Sequence, residues 1–201
     1  MDAAVFWKVI GNYNSQTVWI QVIGVIVILI SAILSYRKIL NCAVKVALGL
    51  INLYIGIVFF GFYGTEPIQK YFALPLYICC GALFIYESIR NFNDKLNRPN
   101  IAQIVLLILC ISYPIISFLL GNRFPQMVTY IMPCPIISMS IVIYSGYNRK
   151  NKLLLALLAI WGLTGVKSLI FNAYEDIILL ICGLFCVYLF FREYKTAKSK
   201  K

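Results

Sequence analysis

The sequence predicts an all-α membrane protein, a bundle of seven transmembrane helices. Of its 201 residues, 62% are apolar and 12% are charged, whereas soluble globular chains average about 45–50% apolar and about 25% charged residues. The apolar residues also fall into runs of about 20, the length that an α-helix needs to cross the hydrocarbon core of a bilayer. So few charged side chains would not cover the surface of a soluble fold of this length.

Seven apolar runs, separated by short polar breaks, supply the predicted helices. At about 20 residues each, seven spans occupy roughly 140 residues and leave only short connections. Residues 1–201 are therefore predicted to form a single transmembrane domain, with no extramembrane domain. The predicted spans are residues 17–36, 41–63, 68–89, 101–120, 126–146, 153–171 and 175–191.

The two ends of the chain are predicted to lie at opposite membrane surfaces. Residues 1–16 contain Phe6, Trp7 and Lys8, which favour an interfacial helix lying on the membrane. No small-residue cleavage site follows this stretch, so we expect no removed signal peptide. Residues 192–201 form a basic tail.

The distribution of Lys and Arg predicts the orientation, because connections retained in the cytoplasm carry the excess of these residues. The first, third and fifth connections and the tail hold fourteen of them: Arg37, Lys38, Lys45, Arg90, Lys95, Arg98, Arg149, Lys150, Lys152, Arg192, Lys195, Lys198, Lys200 and Lys201. The opposite side holds four: Lys8, Lys70, Arg123 and Lys167. We therefore expect the N-terminus outside and the C-terminus in the cytoplasm, in a bacterial cytoplasmic (inner) membrane.

Composition also excludes several classes of function. The chain has no His, which removes the usual proton shuttle, a common zinc ligand and the base of any Ser-His or Cys-His dyad. No nucleophile has a recognisable base beside it, so we expect neither enzymatic activity nor a cofactor. The formal net charge of +11 resides in short clusters at the ends of apolar runs, so we expect no nucleic-acid partner.

The seven cysteines lie within or at the edge of apolar runs. Their spacing matches neither a zinc knuckle nor a secreted disulfide framework, so free buried thiols and no metal site are expected. A soft-metal carrier stays open as an alternative, because Cys182 and Cys186 share a helix face and Cys79 adjoins Cys80. Adjacent helical residues diverge by about 100°, however, which argues against a shared ligand position.

The most specific local feature is Pro133-Cys134-Pro135, near the middle of the fifth predicted span. Each proline lacks an N–H and clashes with the preceding turn, so carbonyls around Thr129 and Ile131 are expected to lose their helical donors. At membrane depth such backbone is tolerated only where it is buried in protein or lines a wet cavity. Broken helices of many transporters bind an ion or solute in this way, and a simple packing kink is the alternative.

A second break, Tyr113-Pro114, lies in the fourth predicted span. Because neighbouring antiparallel helices would both kink, a cavity between the fourth and fifth spans is predicted. For each hydroxyl the alternative is a hydrogen bond to its own helix. The predicted substrate-binding residues are Tyr113, Pro114, Ser117, Thr129, Tyr130, Pro133, Cys134, Pro135 and Ser138.

Charged residues within reach of the membrane are few, and three of them adjoin the same turn. Lys167 lies near the end of the sixth span, and Glu175 and Asp176 open the seventh. An outer-side ion pair across this turn is predicted, and a structural role is favoured because acids at a helix N-terminus also interact well with the helix dipole. No acid occupies the centre of a predicted span, which argues against a proton-coupled pump.

These features predict a small-solute or ion transporter or channel with a midplane site at the broken fifth helix. The alternative is a membrane-embedded sensing or accessory subunit that binds a partner or lipid without transport. The expected partners are the lipid bilayer and an unknown small solute or ion, and a homo-oligomer stays open.

Three short stretches carry a resemblance to a known family: Tyr13-Asn14 ahead of Trp19, Tyr113-Pro114 followed by Gly121 and Pro125, and Met132-Pro133-Cys134-Pro135, with Glu175-Asp176 before the last span. On these residues the chain resembles an uncharacterised family of small bacterial integral-membrane proteins, a domain of unknown function. The resemblance covers nearly the whole chain. It implies a membrane fold and no known activity.

Overall fold

The computed structural model describes residues 3–198, and the described residues form an all-α structure. The main helices are α1 (Ala3–Tyr36), α2 (Ala43–Tyr54), α3 (Leu74–Arg90), α4 (Ile101–Leu119), α5 (Pro133–Ser145), α6 (Lys152–Leu163), α7 (Ser168–Phe171) and α8 (Ile177–Lys198). Short π-helices extend α2 (Ile55–Tyr63) and lead into α3 (Gln69–Ala73), and 3-10 turns follow α6 (Thr164–Lys167) and precede α8 (Tyr174–Asp176).

Six helices among the described residues are long and apolar enough to cross a membrane: Ala3–Tyr36, Ala43–Tyr63, Gln69–Arg90, Ile101–Leu119, Lys152–Ile170 and Tyr174–Lys195. They correspond to the first four and the last two predicted spans, so those six predictions of apolar helices are confirmed. The fifth differs, because α5 has only 13 residues.

The first helix is longer than predicted. Residues 3–16 continue without interruption into the first span, so the structure has one helix where a separate interfacial helix was expected. No proline falls between Ala3 and Tyr36 to end the helix, and Pro is the residue that most strongly breaks one. At the other end α8 continues to Lys198, and the last residues of the predicted basic tail lie outside the described part of the chain.

The faces of α1 are the reverse of those of a helix in a water-soluble protein. Its buried residues include the polar Asn14, Thr17 and Gln21, which share one face because they are three and four positions apart. Its exposed residues include Trp19 and Ile23, which are 78% and 60% exposed. An apolar outer face over a polar inner one is compatible with a membrane protein.

The three connections predicted to carry positive charge meet at one end of the bundle, which we call the basic end. The Asn97 N–H donates to the carbonyl of Gly146 at 3.1 Å, and the Tyr147 hydroxyl donates to the carbonyl of Asn41 at 2.7 Å. Leu96 and Tyr147 form an isolated antiparallel bridge. The first, third and fifth connections therefore lie on the same side, as the alternation of the spans requires.

The prediction that residues 126–146 form a broken helix is wrong. Residues 122–132 are non-helical and contain no more than turns, bends and an isolated bridge between Arg123 and Gln126. We call residues 122–132 the inserted segment, because along them the chain runs from the protein surface at the exposed Arg123 into the interior at the buried Ile131. Pro133 is the first residue of α5. The prolines begin a helix rather than break one, since first-turn N–H groups have no intrahelical partner to lose.

Candidate functional site

Carbonyls of the inserted segment and of the start of α5 are hydrogen-bonded to side chains of distant helices. From α1, the hydroxyl of Tyr13 donates to the carbonyl of Ile131 at 2.7 Å. From α3, the hydroxyl of Tyr77 donates to the carbonyl of Pro133 at 2.7 Å. The Ile131 carbonyl does lack a helical donor, as predicted, because the residue four positions later is Pro135, but the Tyr13 side chain satisfies it.

The first part of the inserted segment is hydrogen-bonded to a polar stripe on α1, formed by Asn14, Thr17 and Gln21. The Asn14 side-chain amide donates to the carbonyls of Pro125 and Met127 at 2.7 and 2.8 Å. The hydroxyl of Thr129 donates to Gln21 Oε1 at 2.6 Å. Gln21 Nε2 in turn donates to Asn14 Oδ1 at 3.0 Å, which fixes the orientation of both amides. A polar helix face and a non-helical segment thus satisfy each other's hydrogen-bonding groups, as burial requires.

Glu175 binds the inserted segment through Ser117. The Ser117 hydroxyl donates to Glu175 Oε1 at 2.7 Å and accepts from the N–H of Val128 at 3.0 Å. Asn122 adds a longer contact of 3.4 Å to the same oxygen. The predicted outer-side ion pair is not formed: no described contact within 4.0 Å joins Lys167 to Glu175 or Asp176. The physical reason is that neutral donors already occupy Glu175, while the Lys167 side chain is exposed.

The α4–α5 interface, where a cavity was predicted, is packed. The hydroxyl oxygens of Tyr113 and Ser138 lie 3.3 Å apart in a buried contact, and Ser138 also donates to the carbonyl of Cys134 at 2.9 Å. Tyr130 donates to the carbonyl of Ile111 on the outside of α4 at 2.9 Å. Pro114 lies inside α4, which continues to Leu119. The two breaks therefore do not open toward each other.

A cavity of about 150 Å³ lies on the other side of Pro133-Cys134-Pro135, at the end of the bundle opposite the basic end. Its walls come from α1, the π-helix that extends α2, the π-helix that leads into α3, the inserted segment, the start of α5, α6, the turn after it, and the start of α8. The apolar lining residues are Phe6, Ile10, Phe59, Phe60, Ile68, Phe72, Ala73, Val128, Met132, Pro133, Pro135, Trp161 and Leu179. The lining also includes Cys134 and the polar residues Gln69, Thr164, Lys167, Ser168 and Asp176.

Two buried polar atoms of this lining lack a partner among the described residues. Asp176 is 8% exposed, and its Oδ1 accepts no hydrogen bond. The indole Nε1 of Trp161 donates none, although its ring packs edge-on against Phe60 and Tyr77 at centroid distances of 5.4 and 5.0 Å. The thiol of Cys134 lies close to both groups. An unsatisfied buried group costs about 1–3 kcal/mol, so this cavity favours a polar occupant.

Of the predicted binding residues, the structure places Pro133, Cys134 and Pro135 in the cavity lining. Six others lie elsewhere, in α4, in α5 or in the inserted segment: Tyr113, Pro114, Ser117, Thr129, Tyr130 and Ser138. Sequence reasoning missed Trp161 as a lining residue, and Tyr13 and Tyr77 as donors. For Tyr13 one sequence signal exists, the neighbouring polar stripe of Asn14, Thr17 and Gln21 in an otherwise apolar helix.

The buried thiols of Cys110 and Cys182 lie beside each other, whereas the adjacent Cys79 and Cys80 differ in exposure. Cys79 is exposed whereas Cys80 is buried, which matches the divergence expected of neighbours on a helix. Cys186 is buried and donates to the carbonyl of Leu155 at 3.3 Å. No group of three or more His, Cys, Asp or Glu side chains within residues 3–198 is placed to hold a metal ion.

The basic end is closed by buried side chains. Lys45 Nζ lies 3.7 Å from Asp94 Oδ2 and 4.0 Å from the ring centroid of Tyr147. Phe84 and Tyr144 pack edge-to-face at 5.4 Å between this end and the middle of the bundle. Burial raises the pKa of the Tyr147 phenol, so its hydroxyl stays a hydrogen-bond donor at neutral pH.

Comparison with known proteins assigns the chain to a family. The family model matches residues 3–201, and its description is a family of unknown function, DUF6064. No curated protein and no solved structure matches the chain. The match confirms the predicted membership of an uncharacterised family, so the chain belongs to the DUF6064 family of unknown function.

Proposed function

We propose that this chain is an integral membrane protein that binds a small solute or ion in the cavity beside Pro133-Cys134-Pro135 and carries it across the bilayer. The observation that carries the proposal is the buried Oδ1 of Asp176, which has no partner among the described residues and belongs to the cavity lining. Intramembrane ionisable groups that are not paired are commonly functional.

The distribution of polar and apolar groups supports insertion in a membrane. Trp19 and Ile23 are exposed on α1 while Asn14 and Gln21 are buried, an arrangement that is favourable in hydrocarbon and unfavourable in water. The inserted segment meets the condition that lipid imposes on non-helical backbone, because its carbonyls bond to protein side chains.

The proposed orientation places the basic end in the cytoplasm of a bacterial cell and the N-terminus outside. The contacts of the first, third and fifth connections bring together the charged loops that the positive-inside rule assigns to the cytoplasm. The cavity then faces outward, because Gln69 and Lys167 of its lining lie next to the second and sixth connections, at the end of the bundle opposite the basic end.

The packed basic end supports a transporter over an open channel. Phe84, Tyr144 and Tyr147 are buried and pack against one another in the half of the bundle away from the cavity, so passage requires a rearrangement that separates them. The same packing favours the runner-up, a membrane-embedded sensing or accessory protein that binds its ligand from one side without moving it. We propose no catalytic role and no cofactor for either function.

Flux into proteoliposomes distinguishes the two functions. Purified protein is reconstituted alone and tested for uptake of radiolabelled amino acids, amines, carboxylates, sugars, ²²Na⁺ and ⁸⁶Rb⁺. We expect at least one class to accumulate with the native chain and to lose most of that accumulation with Asp176→Asn. Glu66→Gln, which removes an acid near the same end but outside the cavity lining, is the matched control. Binding without accumulation of any class would exclude transport and favour the sensing protein.

A further inference from the structure

We infer that the cavity takes a small molecule with one ammonium group on a compact apolar body. The inference depends on the proposed binding site but not on transport. It names the class of ligand from the charge, the aromatic lining and the size of the cavity.

The charge of the cavity interior indicates that the ligand carries a single positive group. Asp176 is the buried acid of the lining, and its Oδ1 is free to accept a hydrogen bond. The adjacent Glu175 does not belong to the lining, and its Oε1 accepts from Ser117. One carboxylate with an open oxygen complements one ammonium group, which can donate an N–H to that oxygen in a short, charge-assisted hydrogen bond.

The rest of the lining favours an organic cation over a metal ion. Metal ions such as Ca²⁺ need six or more oxygen ligands, but the carbonyls of Pro133 and Cys134, two residues of the lining, already accept hydrogen bonds from the hydroxyls of Tyr77 and Ser138. Aromatic rings are abundant instead, with Phe60 and Trp161 among them. Such rings attract an ammonium group and bury an attached hydrocarbon body.

The volume limits the size of that body. A cavity of about 150 Å³ is large enough for a molecule of the size of benzene, as apolar cavities of that volume are in other proteins. A branched amine with six heavy atoms fits this limit. An amino acid with the same branched skeleton is larger and fits only if its carboxylate lies outside the apolar interior. There it can meet the ammonium group of Lys167, an exposed residue of the lining.

The test follows the fluorescence of Trp161. The chain has three tryptophans, so Trp7→Phe with Trp19→Phe leaves the one that lines the cavity. This protein, in detergent or nanodiscs, is titrated with 3-methylbutylamine, leucine, 4-methylpentanoate and 3-methylbutan-1-ol, which share a branched body and differ in charge. We expect a saturable change in Trp161 fluorescence with the amine and at least tenfold weaker apparent affinity for the alcohol and the carboxylate. Leucine should bind only if the Lys167 ammonium donates to its carboxylate.

Two variants complete the test. Asp176→Asn should weaken amine binding at least tenfold, whereas Glu66→Gln should leave it unchanged. If Asp176→Asn does not fold, the titration of the four ligands into the protein that keeps Asp176 still tests the inference. The inference is overturned if the alcohol or the carboxylate binds as tightly as the amine. It is also overturned if neither the amine nor leucine binds. Amine binding without any flux retains the inference and overturns the transport proposal, so the two failures are distinguishable.

Discussion

The phenol of Tyr13 on α1 donates a 2.7 Å hydrogen bond to the carbonyl of Ile131, 118 residues later in the inserted segment. Both residues are fully buried or nearly so. The contact supplies a donor to a carbonyl that has no helical one, which allows the chain to enter the bundle without forming a helix. The first helix therefore acts as the support of the cavity wall.

Tyr13→Phe should destabilise the protein by about 1–3 kcal/mol, because it leaves the Ile131 carbonyl buried without a partner. Tyr63→Phe is the matched control, since the Tyr63 hydroxyl donates to Gln16 in an exposed contact and its loss should cost less than about 1 kcal/mol. Reversible unfolding in mixed micelles measures both variants. Equal losses would contradict the structural role given to the Tyr13 hydroxyl.

Replacing Pro133 and Pro135 by Ala should destabilise the protein by about 0.4–1 kcal/mol for each proline. Both lie in the first turn of α5, where an added N–H gains no helical bond and alanine only increases the freedom of the unfolded chain. Inside a helix the sign would be opposite, since removal of an interior proline recovers about 3 kcal/mol. A stabilised double variant in the same unfolding assay would show that these prolines interrupt a helix.

This difference illustrates what the sequence can and cannot predict. Six apolar helices were predictable, because a run of about 20 apolar residues has few alternatives to a spanning helix. Residues 126–146 give the same hydropathy whether they are helical or extended, since hydropathy reports the surroundings of the side chains and not the path of the backbone. What decides the path is a set of donors on α1 and α3, such as Tyr13 and Tyr77, which are distant in sequence.

The candidate site was predictable to the same limited extent. Pro133-Cys134-Pro135 and Asp176 were identified from residue type and position, and they do lie together in the cavity lining. The ion pair between Lys167 and Asp176 was predicted because the two residues are close in sequence. Closeness in sequence does not fix the direction of side chains on two short turns. Trp161 carried no signal, because an aromatic residue in an apolar helix is ordinary until the packing is known.

Ser117→Ala should cost about 1–3 kcal/mol, because the hydroxyl connects Glu175 to the N–H of Val128 and both buried groups lose a partner. Ser112→Ala is the matched control on the same helix, since Ser112 bonds only to the carbonyl of Leu109 within α4. A double-mutant cycle with Glu175→Gln should give a coupling above about 0.5 kcal/mol. Additive losses would show that Ser117 and Glu175 act independently.

The basic end should lie on the cytoplasmic side of the membrane. In a background without the seven native cysteines, Asn97→Cys and Asn148→Cys should react with an impermeant maleimide only after intact bacterial cells are permeabilised, because positively charged connections stay in the cytoplasm. Thr65→Cys, on an exposed residue of the second connection, should react from outside. Asn97 Nδ2 donates to Asn148 Oδ1 at 2.8 Å, so the first two positions must behave alike. External labelling of both would reverse the proposed orientation, whereas labelling of one from each side would contradict the contact between the two connections.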